Sequence, residues 1–201
     1  MSFGDGVRIA ACIFKNRPLE LMADCTGARV ESPGLLSLVY MGQPVLVTYP
    51  EGGVRGVDGQ SLSEEEQIVI LRYLASLGGL PPKGKWLSFL ELPGGPHHYA
   101  PFVKEAIEPL ETEFCSWSEF QEACVASGGT EIDGVRGYSM AVLPHLRLGS
   151  VLWGPDETGA FSANILFDAV APHYLPTDCL YVLGILFSRH LLRAKKTRTL
   201  T

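Results

Sequence analysis

The stretch Tyr138-Ser139-Met140-Ala141-Val142-Leu143-Pro144-His145-Leu146-Arg147-Leu148-Gly149-Ser150-Val151-Leu152-Trp153 decides the fold class. Two runs rich in β-branched, aromatic and aliphatic residues, 138–143 and 148–153, flank Pro144-His145, and so short a link can only return the chain antiparallel. A second such pair lies upstream. Leu35 to Val39 and Val45 to Tyr49 are joined through Met41-Gly42-Gln43-Pro44, with Gly42 suited to a tight turn. Asn164 to Phe167 and Lys85 to Leu90 read as further short strands. Hairpins mixed with helices, without regular βαβ units, predict an α+β fold with a largely antiparallel sheet.

The helices are marked by their caps. Ser63-Glu64-Glu65-Glu66 is a capping box, and Ile68, Leu71, Leu74 and Ala75 recur behind it at helical spacing, so a helix over 64–77 should lay that face on a sheet. Ser116-Trp117-Ser118-Glu119 opens another helix, which Gly128-Gly129 closes. Residues 4–15 and 99–111 are helical in pattern, with Pro109 expected to end or bend the second near Glu108. Thr177-Asp178 should cap a final helix, apolar almost all round through Phe187, that runs to about Arg193. Glu51 to Gly59, with four glycines, reads as a loop.

Composition bounds the function. A chain of 201 residues that is 46% hydrophobic and 19% charged is globular, and the reading is a single domain over 1–190 with a basic tail over 191–201. The formal net charge is −6, yet five basic residues and no acid fall between Arg189 and Thr201. An acidic body argues against a nucleic-acid surface. The tail is either a solvated helix end or a contact for an anionic partner. No leader pattern is visible, and the longest apolar stretch, Leu180 to Phe187, is far below the ~20 residues of a membrane span. The expectation is a cytoplasmic protein without membrane or nucleic-acid partners, its five cysteines thiols and most of them buried. No CxxC pair occurs, so no metal site is expected.

The order Leu71-Arg72-Tyr73-Leu74, Gly84-Lys85-Trp86, Glu91-Leu92-Pro93-Gly94-Gly95, Trp153, Asp156-Glu157, Ile165-Leu166-Phe167-Asp168 and Tyr174-Leu175-Pro176 resembles the uncharacterised family catalogued as domain of unknown function 3786, over roughly residues 20–190. The resemblance implies a role near anaerobic one-carbon, corrinoid or redox metabolism. It supplies no catalytic residues. Thr158-Gly159-Ala160-Phe161 follows Asp156-Glu157 where the family is expected to place an aromatic at once.

Two blocks offer candidate chemistry. Pro93-Gly94-Gly95-Pro96 before a helix could present amides to an anion, with Lys85 adding a cation, although the spacing is neither GxGxxG nor a P-loop and a plain turn is the commoner reading. His97 and His98 adjoin that turn; His145 and His173 lie at other element ends. Asp156, Glu157 and Asp168 are the carboxylate candidates for acid–base work, Asp168 following the apolar Leu166-Phe167. Trp86, Trp153, Phe89 and Tyr99 could flank a flat ring system such as a corrinoid, haem or flavin, or simply be core. The leading expectation is a small-molecule-binding accessory protein using Lys85, Trp86, Gly94, Gly95, His97, His98 and Trp153. The alternatives are a small carboxylate/histidine enzyme and a homodimer or partner-protein module.

Overall fold

The computed structural model describes residues 3–199. In chain order the elements are α1 (Phe3–Lys15), α2 (Leu19–Thr26), β1 (Arg29–Ser32), β2 (Leu35–Tyr40), β3 (Gln43–Thr48), β4 (Val54–Gly56), α3 (Glu64–Leu74), β5 (Trp86–Ser88), α4 (Tyr99–Phe102), α5 (Glu108–Glu113), α6 (Trp117–Ala126), β6 (Thr130–Ile132), β7 (Val135–Leu143), β8 (Leu146–Trp153), β9 (Ser162–Asp168), α7 (Ala171–Tyr174) and α8 (Thr177–Thr199). The fold is α+β, and its strands form two antiparallel sheets rather than one. The first has the order β1-β2-β3-β4 and the second β5-β9-β8-β7-β6.

The β7–β8 hairpin turns on Pro144-His145 and continues into β9, with Leu148 opposite Phe167 and Trp153 opposite Ser162. Alternation then sends Tyr138, Met140, Leu148, Leu152, Ile165 and Phe167 to one face, where all are buried. The upstream hairpin uses a two-residue turn, Met41-Gly42, with φ of 45° and 78°. A turn with both central residues left-handed matches the twist of the flanking strands. Met41 tolerates it because its N–H donates to the Val142 carbonyl of β7 at 3.0 Å, the bond that stitches the first sheet to the second.

The Ser63 box is present as read: Ser63 Oγ accepts from Glu66 N–H, and Glu66 Oε2 accepts from Ser63 N–H at 2.9 Å. The helix behind it does not rest one stripe on a sheet. It packs against α1, α2 and α8, so Val69, Ile70, Leu71, Tyr73 and Leu74 are all buried and Ile68 is half-buried. A helix wrapped by helices loses the single apolar face that the spacing predicts.

Pro109 does not end its helix. The turn 103–107 widens so that Glu108 N–H donates to Val103 O, five residues back, and the helical run reaches Glu113. That wide turn accommodates a ring without an N–H. The glycine-rich 51–59 segment holds β4, whose Val54 pairs with Val47 of β3, and β1 adds a strand not anticipated. Thr177 donates its hydroxyl to Pro93 O at 2.6 Å rather than capping α8, while Asp178 accepts from Cys179 N–H.

α8 does not stop near Arg193. No breaker follows, Leu191 to Lys196 are good helix formers, and the helix runs to Thr199, so most of the expected tail is helix; residues 200–201 lie outside the described residues. Lys195 anchors it, 3.0 Å from Glu119 and within 5.5 Å of the Phe114 ring centre. Only Cys124 and Cys179 are buried, and burial pushes each thiol up to about 12; Cys12 and Cys115 are exposed. Among the described residues no helix is long and apolar enough to cross a membrane.

Candidate functional site

The two sequence blocks meet along one strand pair and then part. β5 lies beside β9 with Trp86 opposite Asp168 and Ser88 opposite Leu166. Asp168 is fully buried. Its Oδ1 accepts from the amides of Lys83 (3.1 Å) and Val170 (3.0 Å), and its Oδ2 from Gly84 (2.7 Å). The Lys85 carbonyl accepts from Ala169 N–H at 2.7 Å. The aspartate therefore clamps the 83–85 turn to the end of β9, while the Lys85 side chain is exposed.

Trp153 sits opposite Ser162, at the far end of β9 from Asp168, so the two termini of that strand are roughly 20 Å apart at ~3.4 Å per residue. Trp86 is half-buried over Gly149, and Trp153 is 46% exposed. Asp156 is consumed by its own turn: Oδ1 accepts from Thr158 N–H, Thr158 Oγ and Ala160 N–H at 2.7–2.9 Å. The Thr158 hydroxyl, then the Ala160 and Thr158 amides, hold its carboxyl below the usual range. Thr158, Gly159 and Ala160 thus close a turn on Asp156, and Glu157 is exposed.

Gly94 adopts φ 74°. Gly95 is buried so tightly that a Cβ there would lie 1.9 Å from the Phe89 carbonyl. The turn thus packs on its own backbone. His97 and His98 are exposed, and among the described residues no hydrogen bond or ion pair joins them to Asp156, Glu157 or Asp168. Phe89 lies in the core, stacked on Phe102 at 4.1 Å, and Tyr99 packs against that core.

Three buried tyrosines separate structure from site. Tyr73 donates to Thr26 O at 2.7 Å and accepts from His145 N–H at 2.9 Å. Tyr174, stacked on it at 5.0 Å, donates to Leu80 O at 2.6 Å, accepts from Leu80 N–H at 2.9 Å and lies 3.1 Å from His145 Nδ1. Together they tie α2, α3, the β7–β8 turn and α7. Tyr40, at the end of β2, is 4% exposed, and its hydroxyl has no hydrogen-bond partner among the described residues. A buried polar group in that state costs about 1–3 kcal/mol and calls for a reason.

Tyr40 lines a cavity of about 490 Å³ between the first sheet, the 56–63 loop and the second half of α8. Such a volume suits a small organic molecule. Met41, Pro44, Val45, Val57, Leu62 and Leu186 form its apolar wall. Leu186, Arg189, His190 and Arg193 recur at the spacing that puts residues on one helix face, and they present two guanidinium groups and an imidazole. Arg189 approaches Glu65 at 3.9 Å. Glu66 is occupied by Ser63, and Asp58 Oδ1 accepts from Gln60 N–H at 3.0 Å. Burial, and next the negative charge of Glu66, leave the Tyr40 phenol raised well above its ordinary value, with Arg193 opposing and Glu65 adding; burial and Arg193 hold His190 below 6.5.

Sequence reasoning passed over this site. The basic run 189–198 was visible, but its chemistry depends on a loop and a strand more than 120 residues upstream, between Tyr40 and Ser63. The signal that could have found it is Leu186-His190-Arg193, whose spacing continues the buried face of α8 into charge.

The family model described as Domain of unknown function (DUF3786) matches residues 18–190, and the chain belongs to that family. No curated protein and no solved structure matches it.

Proposed function

We propose that this chain is a small-molecule-binding protein and that its ligand seats in the cavity between the first sheet and α8. The observation that carries this reading is the cavity of about 490 Å³ itself, walled by Met41, Val45, Val57 and Leu186 beside Arg189, His190 and Arg193. Binding is favoured over catalysis because Asp168 and Asp156 already give their oxygens to the backbone and to Thr158. A place in anaerobic one-carbon, corrinoid or redox metabolism extends the same reading and rests on the family resemblance alone.

The test is to isolate the full chain anaerobically, record its absorption spectrum and extract it for mass spectrometry, alongside Val57→Trp. Val57 lines the cavity and is 65% exposed, so an indole there fills the mouth without entering the core. A molecule released by the parent and depleted from the variant is the expected result. Visible absorption would identify a corrinoid, haem or flavin. A molecule retained equally by the two would place binding elsewhere and overturn the reading.

A further inference from the structure

A second concavity lies at the other end of α3. It is an open groove of about 340 Å³ where the α1–α2 link, the end of α3 and α7 meet. Two of the runs quoted from the sequence, Leu71-Arg72-Tyr73-Leu74 and Tyr174-Leu175-Pro176, come together in it. Its charged side chains are Arg17, which is exposed, and Arg72, which is half-buried, with the His173 imidazole beside them. No aspartate or glutamate is among the described residues that line it. Within the described residues neither guanidinium has an ion-pair or hydrogen-bond partner. The acids that flank the lining segments keep their charges, but Glu20 and Asp178 pair with neither arginine. Asp178 opposes Arg72 at the buried Cys179 thiol, so it offsets part of one arginine and leaves the other.

We propose that this groove is a second site, separate from the cavity, and that it takes a small polyvalent oxyanion whose phosphate or carboxylate groups are held by Arg17 and Arg72, with a hydrogen bond from His173. The planar guanidinium fork matches the paired oxygens of either group. Two forks that enter from different segments suit an anion with oxygens on more than one side. A neutral imidazole still offers one N–H to such an oxygen. The hydroxyls at the groove are already spent, Ser76 donating to Tyr73 O at 2.7 Å and Tyr174 to Leu80 O at 2.6 Å, so the three basic side chains carry the recognition. A metal ion would be repelled by the same pair of charges. An apolar molecule would gain contact with Ile13 and Leu175 but would cover the arginines without pairing them.

Calorimetric titration of the full chain with inorganic pyrophosphate and, separately, with citrate, both at low ionic strength, tests the site. At least one should bind one to one, and the tighter of the two names the head group. Arg17→Gln and Arg72→Gln should each weaken that binding at least about tenfold, the factor for losing one charge-assisted contact. Arg55→Gln, exposed on β4 and lining neither the groove nor the cavity, should leave it unchanged. Arg17 is exposed, so its variant decides the matter even where Arg72→Gln disturbs the end of α3. Failure of both anions to bind overturns the inference. So does binding that ignores Arg17→Gln, or that falls equally with Arg55→Gln, because the anion then answers to net charge or to another place. None of these outcomes bears on the cavity, whose reading stands or falls on Val57→Trp.

Discussion

Replacing Tyr40 by Phe removes one buried oxygen atom and leaves the ring in place. At most sites losing a buried hydroxyl destabilises, because its partner is stranded. Here the hydroxyl has no partner among the described residues and the side chain is 4% exposed, so nothing is stranded and the desolvation cost is relieved. The ligand-free protein should gain about 1–3 kcal/mol. For a chain of this size each 1 kcal/mol moves the melting temperature by roughly 2–4 °C. Urea denaturation and calorimetry on the two proteins, both stripped of ligand, measure the gain. If Tyr40→Phe lost 1 kcal/mol or more, the hydroxyl would already have a partner in the free protein and the reasoning would fail.

Asp168→Asn puts an N–H donor where three backbone amides converge, and should cost about 3 kcal/mol in urea melts; a neutral result would show that the 83–85 clamp contributes little. Leu71→Ala, in a helix enclosed by other helices, should cost about 2–5 kcal/mol by the same assay. His190, which lines the same cavity as Tyr40, Glu66, Asp58, Arg189 and Arg193, is held below 6.5 by burial and then by Arg193, so the unfolded chain takes up this proton first as pH falls. Its contribution is therefore complete above about pH 6.5 and is lost as pH drops below it, levelling once the folded imidazole also charges. The difference in melting temperature between the parent and His190→Gln should show that slope between pH 7.5 and 5, and a parallel pair of curves would refute it.

Local chemistry was legible wherever the cause was local. The Ser63 box needs only residues 63–66, and the two hairpins need only their own apolar alternation and turns. What failed depends on the rest of the molecule. Ile68 is half-buried and Val69 wholly so because α1, α2 and α8 surround α3, which no spacing within α3 reports. β4 is three residues among glycines and exists because β3 offers an edge. Asp168 and Asp156 looked like reactive carboxylates because residue type carries no record of partners; their amide donors lie in turns whose geometry is set only on folding. The cavity joins residues 40–66 to residues 186–193, a pairing that no local pattern reports.

α8 is one unbroken rod of 23 residues, about 35 Å long at 1.5 Å per residue. Its first half is keyed into the core by Leu180, Leu183 and Phe187, and its second half carries Arg189, His190 and Arg193 into the cavity. With no hinge between them, the two halves share a single rotational phase. Adding or deleting one residue near Ser188 would turn the cationic face by about 100° relative to the buried one. Drift within this family should thus change which side chains line the cavity far more readily than it changes the length of the helix between core and cavity.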